Sequence, residues 1–454
     1  MSSRDRAVKR AKAHANRLER KHDRLAGALD YDMVVSVQSL FDAANICKHG
    51  VMWKSTVAGF HAGLLLNCLG LHESIVDGSY HKRPSCHFIL NERGKQRHIS
   101  AVDYRDRIIQ RSLCDNSLVP IVGNALIFDN AASLRGKGTA FARRRFRKHL
   151  LTAFNGYVRN VNNEYRHAGV RKRRRMDGDA DVKGLLYHNN RRLRDMNDAS
   201  IAYNRWRHPY AVVFDYRDYF GSIDSHHAFA MLVSHYRSLC LTEAEHASVE
   251  RMLALLRVFI EDESHLGLGN QTSQTMAIWF VNRIDHLAEQ RYGLYCRYMD
   301  DGVCVCPDRK TAEAFLGMLR GESARLGLRL NPRKTMMVDL TRPHRSHVRM
   351  LKRDYAFDAA GGLVVRMASH SLTMNKHHVK HVAMRSDGVN VDMRALLSIA
   401  LGMKANMRGL TDGKGFWRSY SKWFENMMRE HGFNVDMSAD AWDDARVAGE
   451  AIPS

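Results

Sequence analysis

Proline is scarce in this chain, with seven in 454 residues, and no low-complexity linker separates one segment from another. Clusters of proline and glycine punctuate strings of independent modules, so their shortage predicts one compact body. No apolar run is long enough to span a bilayer, which excludes a membrane-spanning helix as the organising element and predicts no membrane partner. The N-terminus, Met1-Ser2-Ser3-Arg4-Asp5-Arg6, lacks the apolar segment of a secretory signal, so a cytoplasmic protein is expected. Paired metal-ligand spacing is missing among the eight cysteines, which read as small reduced core residues. Acidic residues are in short supply too: Asp and Glu number 48 against 70 Lys and Arg, a formal charge of +22. An excess of that size points to a polyanionic partner, nucleic acid ahead of a membrane surface.

The positive charge is distributed in blocks. Residues 1–30 carry a basic, helix-favouring arm, and 31–73 read as more apolar helix. His87 to Ile99 reads as a β-hairpin turning at Arg93-Gly94, with Lys95 and Arg97 two apart and therefore on one face. Val102 to Leu113 reads as a helix with Ile108, Ile109 and Leu113 on one side. A glycine-broken loop, Ser133 to Thr139, enters a helix from Ala140 to Leu150 that carries Arg143, Arg144 and Arg145 and suits a phosphate backbone. Residues 155–205, with Arg171-Lys172-Arg173-Arg174-Arg175, read as a basic, poorly folding insertion ordered by nucleic acid.

Carboxylates then appear where folding alone gives no reason for them. Ala211 to Phe214 is a buried strand that delivers Asp215 at its end. Leu294 to Cys306 reads as strand, tight turn and strand, with the turn on Asp300-Asp301-Gly302. Adjacent carboxylates at a hairpin tip repel, and a divalent cation with a taste for hard oxygen relieves them. Between these elements, Leu266 to Gln274 forms a glycine-containing loop that opens an apolar helix, its glycines suited to close approach to a base pair or sugar. After them, Leu330-Asn331-Pro332-Arg333-Lys334-Thr335 runs from a helix end into a strand. His347 to Phe357 and Gly362 to Arg366 suggest a hairpin across a glycine turn, and helices follow to the C-terminus.

In this order the Asp215 strand, the loop at 268–274, Tyr298-Met299-Asp300-Asp301 and Leu330 to Thr335 resemble the palm motifs of reverse transcriptases. The segments at 87–113 and 133–150 resemble the fingers of the prokaryotic, group II intron-like members. Ser273-Gln274 is similar to the enzymes of diversity-generating retroelements and of phage defence. The resemblance covers roughly residues 85–370. It implies an α+β right-hand polymerase: fingers over 31–205, a palm over 206–367 with an antiparallel sheet and ferredoxin-like core, and a helical thumb over 368–454. It implies that Asp215, Asp300 and Asp301 hold two magnesium ions, with manganese able to stand in, while Asp218 points elsewhere. Lys95, Arg97, Phe220, Gln274 and Lys334 would meet the deoxynucleotide, Phe220 as the ring that excludes a 2′-hydroxyl. Asn270, Arg143, Arg144, Arg145 and Lys352 would meet template or primer.

The activity so implied is RNA-directed DNA synthesis on an associated non-coding RNA, with an accessory protein or a second copy of the chain as further partners. Nothing resembles an integrase, a ribonuclease H or a His-Asn-His nuclease, which favours antiviral defence. Gene diversification, template-independent or protein-primed synthesis, and a non-catalytic RNA-binding scaffold stay open as alternatives.

Overall fold

A computed structural model of the chain describes residues 23–92, 95–180, 182–183, 185–186, 205–342, 346–359, 361–384, 393–431, 435 and 437. Helices and antiparallel sheets form two compact units, Met1–His149 with Phe214–Met336 and Leu150–Val213 with Met337–Ser454. Sequence composition predicts one body. The divisions fall inside a helix and two strands, so no proline-rich or glycine-rich linker marks them.

In the first unit, β1 (Cys86–Glu92) and β2 (Lys95–Ala101) pair antiparallel from Cys86↔Ala101 to Glu92↔Lys95. The expected turn at 93–94 lies outside the described residues, as does the side chain of Lys95. Helix α1 (Tyr104–Leu113) starts where the Asp103 carboxylate accepts from the Arg105 amide at 3.0 Å, an N-cap that satisfies one free donor. It buries Ile108, Ile109 and Leu113, and its Gln110 donates to Thr272 at 2.9 Å in the interior.

Helix α2 (Thr139–His167) runs far beyond the Leu150 limit read from sequence. Phe146, Leu150, Phe154 and Val158 are all buried at intervals of four, so one apolar stripe carries the helix through the stretch read as a poorly folding insertion. A further helix, Val170–Asp177, lies within that stretch, and positions 187–204 of it are outside the described residues.

β3 (Tyr210–Asp215), β4 (Leu294–Tyr298), β5 (Asp301–Cys306) and β6 (Met336–Asp339) form a sheet in the order β4-β5-β3-β6. The β4-β5 pairing runs from Leu294↔Val305 to Tyr298↔Asp301, so Met299 and Asp300 make the two-residue turn, with Met299 at φ +53°. The Asp-Gly step is therefore not the bend. Gly302 sits inside β5 instead, because a Cβ there would overlap the ring of Phe214. Helix α3 (Gln271–Phe280) buries every residue except Gln271 and Gln274, and α4 (Asn282–Arg291) and α5 (Arg309–Arg325) complete the frame.

In the second unit, β7 (Val348–Met350), β8 (Arg353–Phe357) and β9 (Leu363–Met367) form a three-stranded antiparallel sheet. Sequence reads 347–357 as a single strand. Leu351 and Lys352, at φ +49° and +63°, break it with a tight turn whose left-handed positions usually hold Asn and Gly. Phe154 stacks on Phe357 at 3.8 Å between centroids. Helices α6 (Ser369–Met384), α7 (Met393–Met407) and α8 (Gly413–Glu430) follow, and α8 buries Trp417, Tyr420, Phe424, Met427 and Met428 along one face.

Candidate active site

The buried run Ala211 to Phe214 anchors β3 and presents Asp215, 3% exposed, at its C-terminal end. The Asn331 amide donates to the Asp215 carbonyl at 2.7 Å and its side-chain amide to Oδ1 at 3.3 Å. Lys334 Nζ donates to Asp215 Oδ2 at 2.7 Å. One turn, Asn331 to Lys334, thus grips both the backbone and the carboxylate of the strand end.

The β4-β5 turn comes to the same place. The Tyr216 amide donates to the Asp300 carbonyl at 3.3 Å, and the Asp301 carboxyl lies within hydrogen-bond reach of Asp215. Burial, then the charges of Asp300 and Asp215, push the Asp301 carboxyl up to about 7. Burial and the charge of Asp215 raise Asp300 as well, although Lys334 and Arg97 oppose the rise. Burial works against the Lys334 charge, but the bond to Asp215 and the neighbouring carboxylates hold its ammonium above the ordinary lysine value.

A cavity of about 700 Å³ opens beside these groups, lined by Asp215, Asp300, Asn331 and Lys334, by Arg97 on β2 and by Phe220, but not by Asp301. That volume is within the usual range for a small-molecule or cofactor site. Asp218, expected to point elsewhere, also lines it, because the backbone turns left-handed there at φ +45°. Tyr219 locks the neighbouring turn by donating from its hydroxyl to the Ala277 carbonyl at 2.6 Å.

The other residues singled out in the sequence lie differently. Asn270 is buried at the start of α3, with its Oδ1 unpartnered among the described residues, and Gln274 is exposed; neither lines the cavity. Of the glycines before them, Gly267 lines the cavity, as the expected close approach to a ligand requires. Gly269 faces protein: a Cβ there would come 3.0 Å from the Ser100 carbonyl, and Ser100 N donates to the Leu268 carbonyl at 2.9 Å, so this glycine lets the loop pair with β2. On α2, Arg145 binds the Asp129 carboxylate, which His149 also reaches at 2.7 Å, and Arg144 lies over the Phe141 ring at 5.8 Å. Arg143 is half-buried on the same helix. Lys352 belongs to the second unit, in the β7-β8 turn.

Two residues escaped the sequence reading. Arg297 and Asp285 pair with both side chains fully buried, and Arg297 also donates to the carbonyls of Met299 at 2.8 Å and Ile278 at 2.6 Å. An arginine inside an apolar strand, one turn before the two carboxylates, is the signal that could have found them.

Clustered hard carboxylate oxygens suit magnesium. Among the described residues, however, no group of three or more His, Cys, Asp and Glu side chains is gathered closely enough to hold a metal ion as it stands. The ammonium of Lys334 occupies one oxygen of Asp215. No helix among the described residues is long and apolar enough to cross a membrane.

No known family profile matches the chain, and no curated protein matches it. Among solved structures it is similar to telomerase from Candida albicans in complex with a fragment of telomeric RNA, at 14% identity and TM-score 0.35, over 80% of this chain and 59% of that one. It is also similar to apo telomerase from Candida tropicalis, at 10% identity and TM-score 0.34, over 71% of this chain and 52% of that one. A form of the latter truncated from its C-terminal domain gives 11% identity and TM-score 0.32, over 65% and 58%. The chain thus spans between about half and three fifths of the length of these structures. Likeness of this size decides neither fold family nor activity.

Proposed function

We propose that this chain is an RNA-directed DNA polymerase that copies an associated RNA into DNA by nucleotidyl transfer, with fingers, palm and thumb over 31–205, 206–367 and 368–454. The observation that carries the reading is the approach of three carboxylates, Asp215, Asp300 and Asp301, two of which line a cavity together with Arg97, Arg217, Lys334 and Phe220. An arrangement of that kind has little use in packing and a direct use in phosphoryl transfer, which needs positioning and charge neutralisation above all.

Asp215, Asp300 and Asp301 would hold divalent magnesium, which when bound supplies positive charge for the attacking and leaving oxygens. Arg97 and Lys334 bind the triphosphate from the cavity wall and orient it by charge. Alternatively, Lys334 would donate a proton to departing pyrophosphate once its bond to Asp215 is released. Phe220 occupies the volume that a 2′-hydroxyl would need, which selects deoxynucleotides. Asn331 keeps Asp215 oriented through its side-chain amide.

The test is extension of a primer on an RNA template by the purified chain with deoxynucleotides and magnesium. DNA product from the wild type and none from Asp300→Asn/Asp301→Asn is the expected result. Equal product from that double variant overturns the reading, and RNA binding without any synthesis by the wild type replaces it with a non-catalytic scaffold.

A further inference from the structure

The helix Val170–Asp177 carries Arg171, Lys172, Arg173, Arg174 and Arg175 in succession, all exposed, and buries none of its residues. Two of these cations are engaged with the end of α2. Arg173 donates from Nε to the Tyr165 carbonyl at 3.0 Å and from Nη2 to the Arg166 carbonyl at 2.8 Å, and it covers the Tyr165 ring at 5.7 Å. Lys172 stands 3.5 Å from Glu164. The carboxylate of Asp177 is taken as well, accepting from the Tyr165 hydroxyl at 3.1 Å.

Arg171, Arg174 and Arg175 remain. At spacings of three and four they share one helical face, and among the described residues none of them makes an ion pair. Like charges so placed repel, in a short helix with no buried side chain to compensate. Folding does not reward the arrangement; a row of anions does.

Proteins that read single strands stack bases on aromatic rings, and the ring that the described residues place against this helix, Tyr165, is covered by Arg173. Guanidinium groups on a rigid helix suit phosphates, and base-paired RNA is held mainly through its phosphates, hydroxyls and shape. We infer that the Arg171, Arg174 and Arg175 face grips the backbone of a base-paired RNA. The choice of RNA over DNA rests on the proposed function; the phosphate-binding face does not.

Fluorescence anisotropy of the full chain with a labelled RNA hairpin, without nucleotides and over a range of salt, tests this against Arg171→Ala/Arg174→Ala/Arg175→Ala. The slope of log affinity against log salt changes by roughly 0.9 per phosphate neutralised, as calibrated on duplex DNA. The triple variant is therefore expected to bind the hairpin more weakly, with a slope shallower by roughly two to three. Its melting temperature stays at the wild-type value and its affinity for single-stranded RNA of the same length falls much less. An unchanged slope overturns the inference, as does an equal loss on the single strand, tighter binding of duplex DNA, or a loss seen only with anionic vesicles. The two readings fail separately. A wild-type chain that makes no DNA yet differs in slope from the triple arginine variant sinks the polymerase and leaves this face standing.

Discussion

Arg297 and Asp285 are joined by two parallel hydrogen bonds, Nε to Oδ1 at 2.8 Å and Nη2 to Oδ2 at 2.7 Å, with neither side chain exposed. The same guanidinium donates to the Met299 carbonyl, so a buried ion pair on the β4 side holds the turn that carries Asp300. Tyr295 adds a bond from its hydroxyl to Asp285 at 2.8 Å. Removing one partner of a buried pair costs about 3–5 kcal/mol, because a charge is left without compensation. Arg297→Met is therefore expected to lower stability by about that amount, read as a shifted denaturation midpoint. Arg297→Lys keeps the charge but cannot fork onto both oxygens. It should fold, and extend primers more slowly on the order of 10²-fold through misplacement of the turn. Wild-type kinetics in Arg297→Lys would remove the pair from any positioning role.

Phe220 faces the cavity beside Asp215. Phe220→Ala should incorporate ribonucleotides that the wild type rejects, while deoxynucleotide incorporation continues. Product digestion by alkali measures it. Discrimination equal to that of the wild type would return Phe220 to ordinary packing.

Gly302 has no room for a side chain under Phe214. Overpacking a tight interior costs about 1–3 kcal/mol. Gly302→Ala should lose stability of that order in denaturant melts, and Phe214→Leu in the same chain should recover part of it. No recovery would mean the strain lies elsewhere in β5.

Asp300 and Asp301 oppose one another and Asp215. Asp301→Asn removes one of three crowded charges and should raise the stability of the metal-free chain by about 1 kcal/mol, a few degrees in melting temperature. Added magnesium should raise the melting temperature of the wild type and leave Asp300→Asn/Asp301→Asn unmoved. An equal shift in both proteins would place magnesium away from these carboxylates.

Much of the local structure was legible because periodicity and motif order are local signals. The apolar run before Asp215 and the hairpin around 87–99 stand where the sequence puts them. The misses share one cause, that tertiary partners are invisible along the chain. Asp301-Gly302 has the composition of a bend, yet the ring of Phe214 needs Gly302 inside the strand, so the bend moves to Met299-Asp300. Gly269 reads as a glycine kept for a ligand, and Ser100 turns out to be its neighbour. The α2 stripe through Phe154 and Val158 is interrupted by Asn155 and Gly156 and followed by the polar run Asn162-Asn163-Glu164, which hides a helix that packing sustains. Arg297 and Asp285 lie twelve residues apart on different elements, and nothing in their spacing announces a pair.

The most direct measurement is labelled deoxynucleotide incorporation on a primed RNA template, with and without magnesium, by the wild type and by Asp215→Asn. Signal from the wild type with magnesium alone is the predicted outcome. Signal of equal size from Asp215→Asn, or from the wild type stripped of divalent metal, contradicts the claim that these carboxylates carry the chemistry.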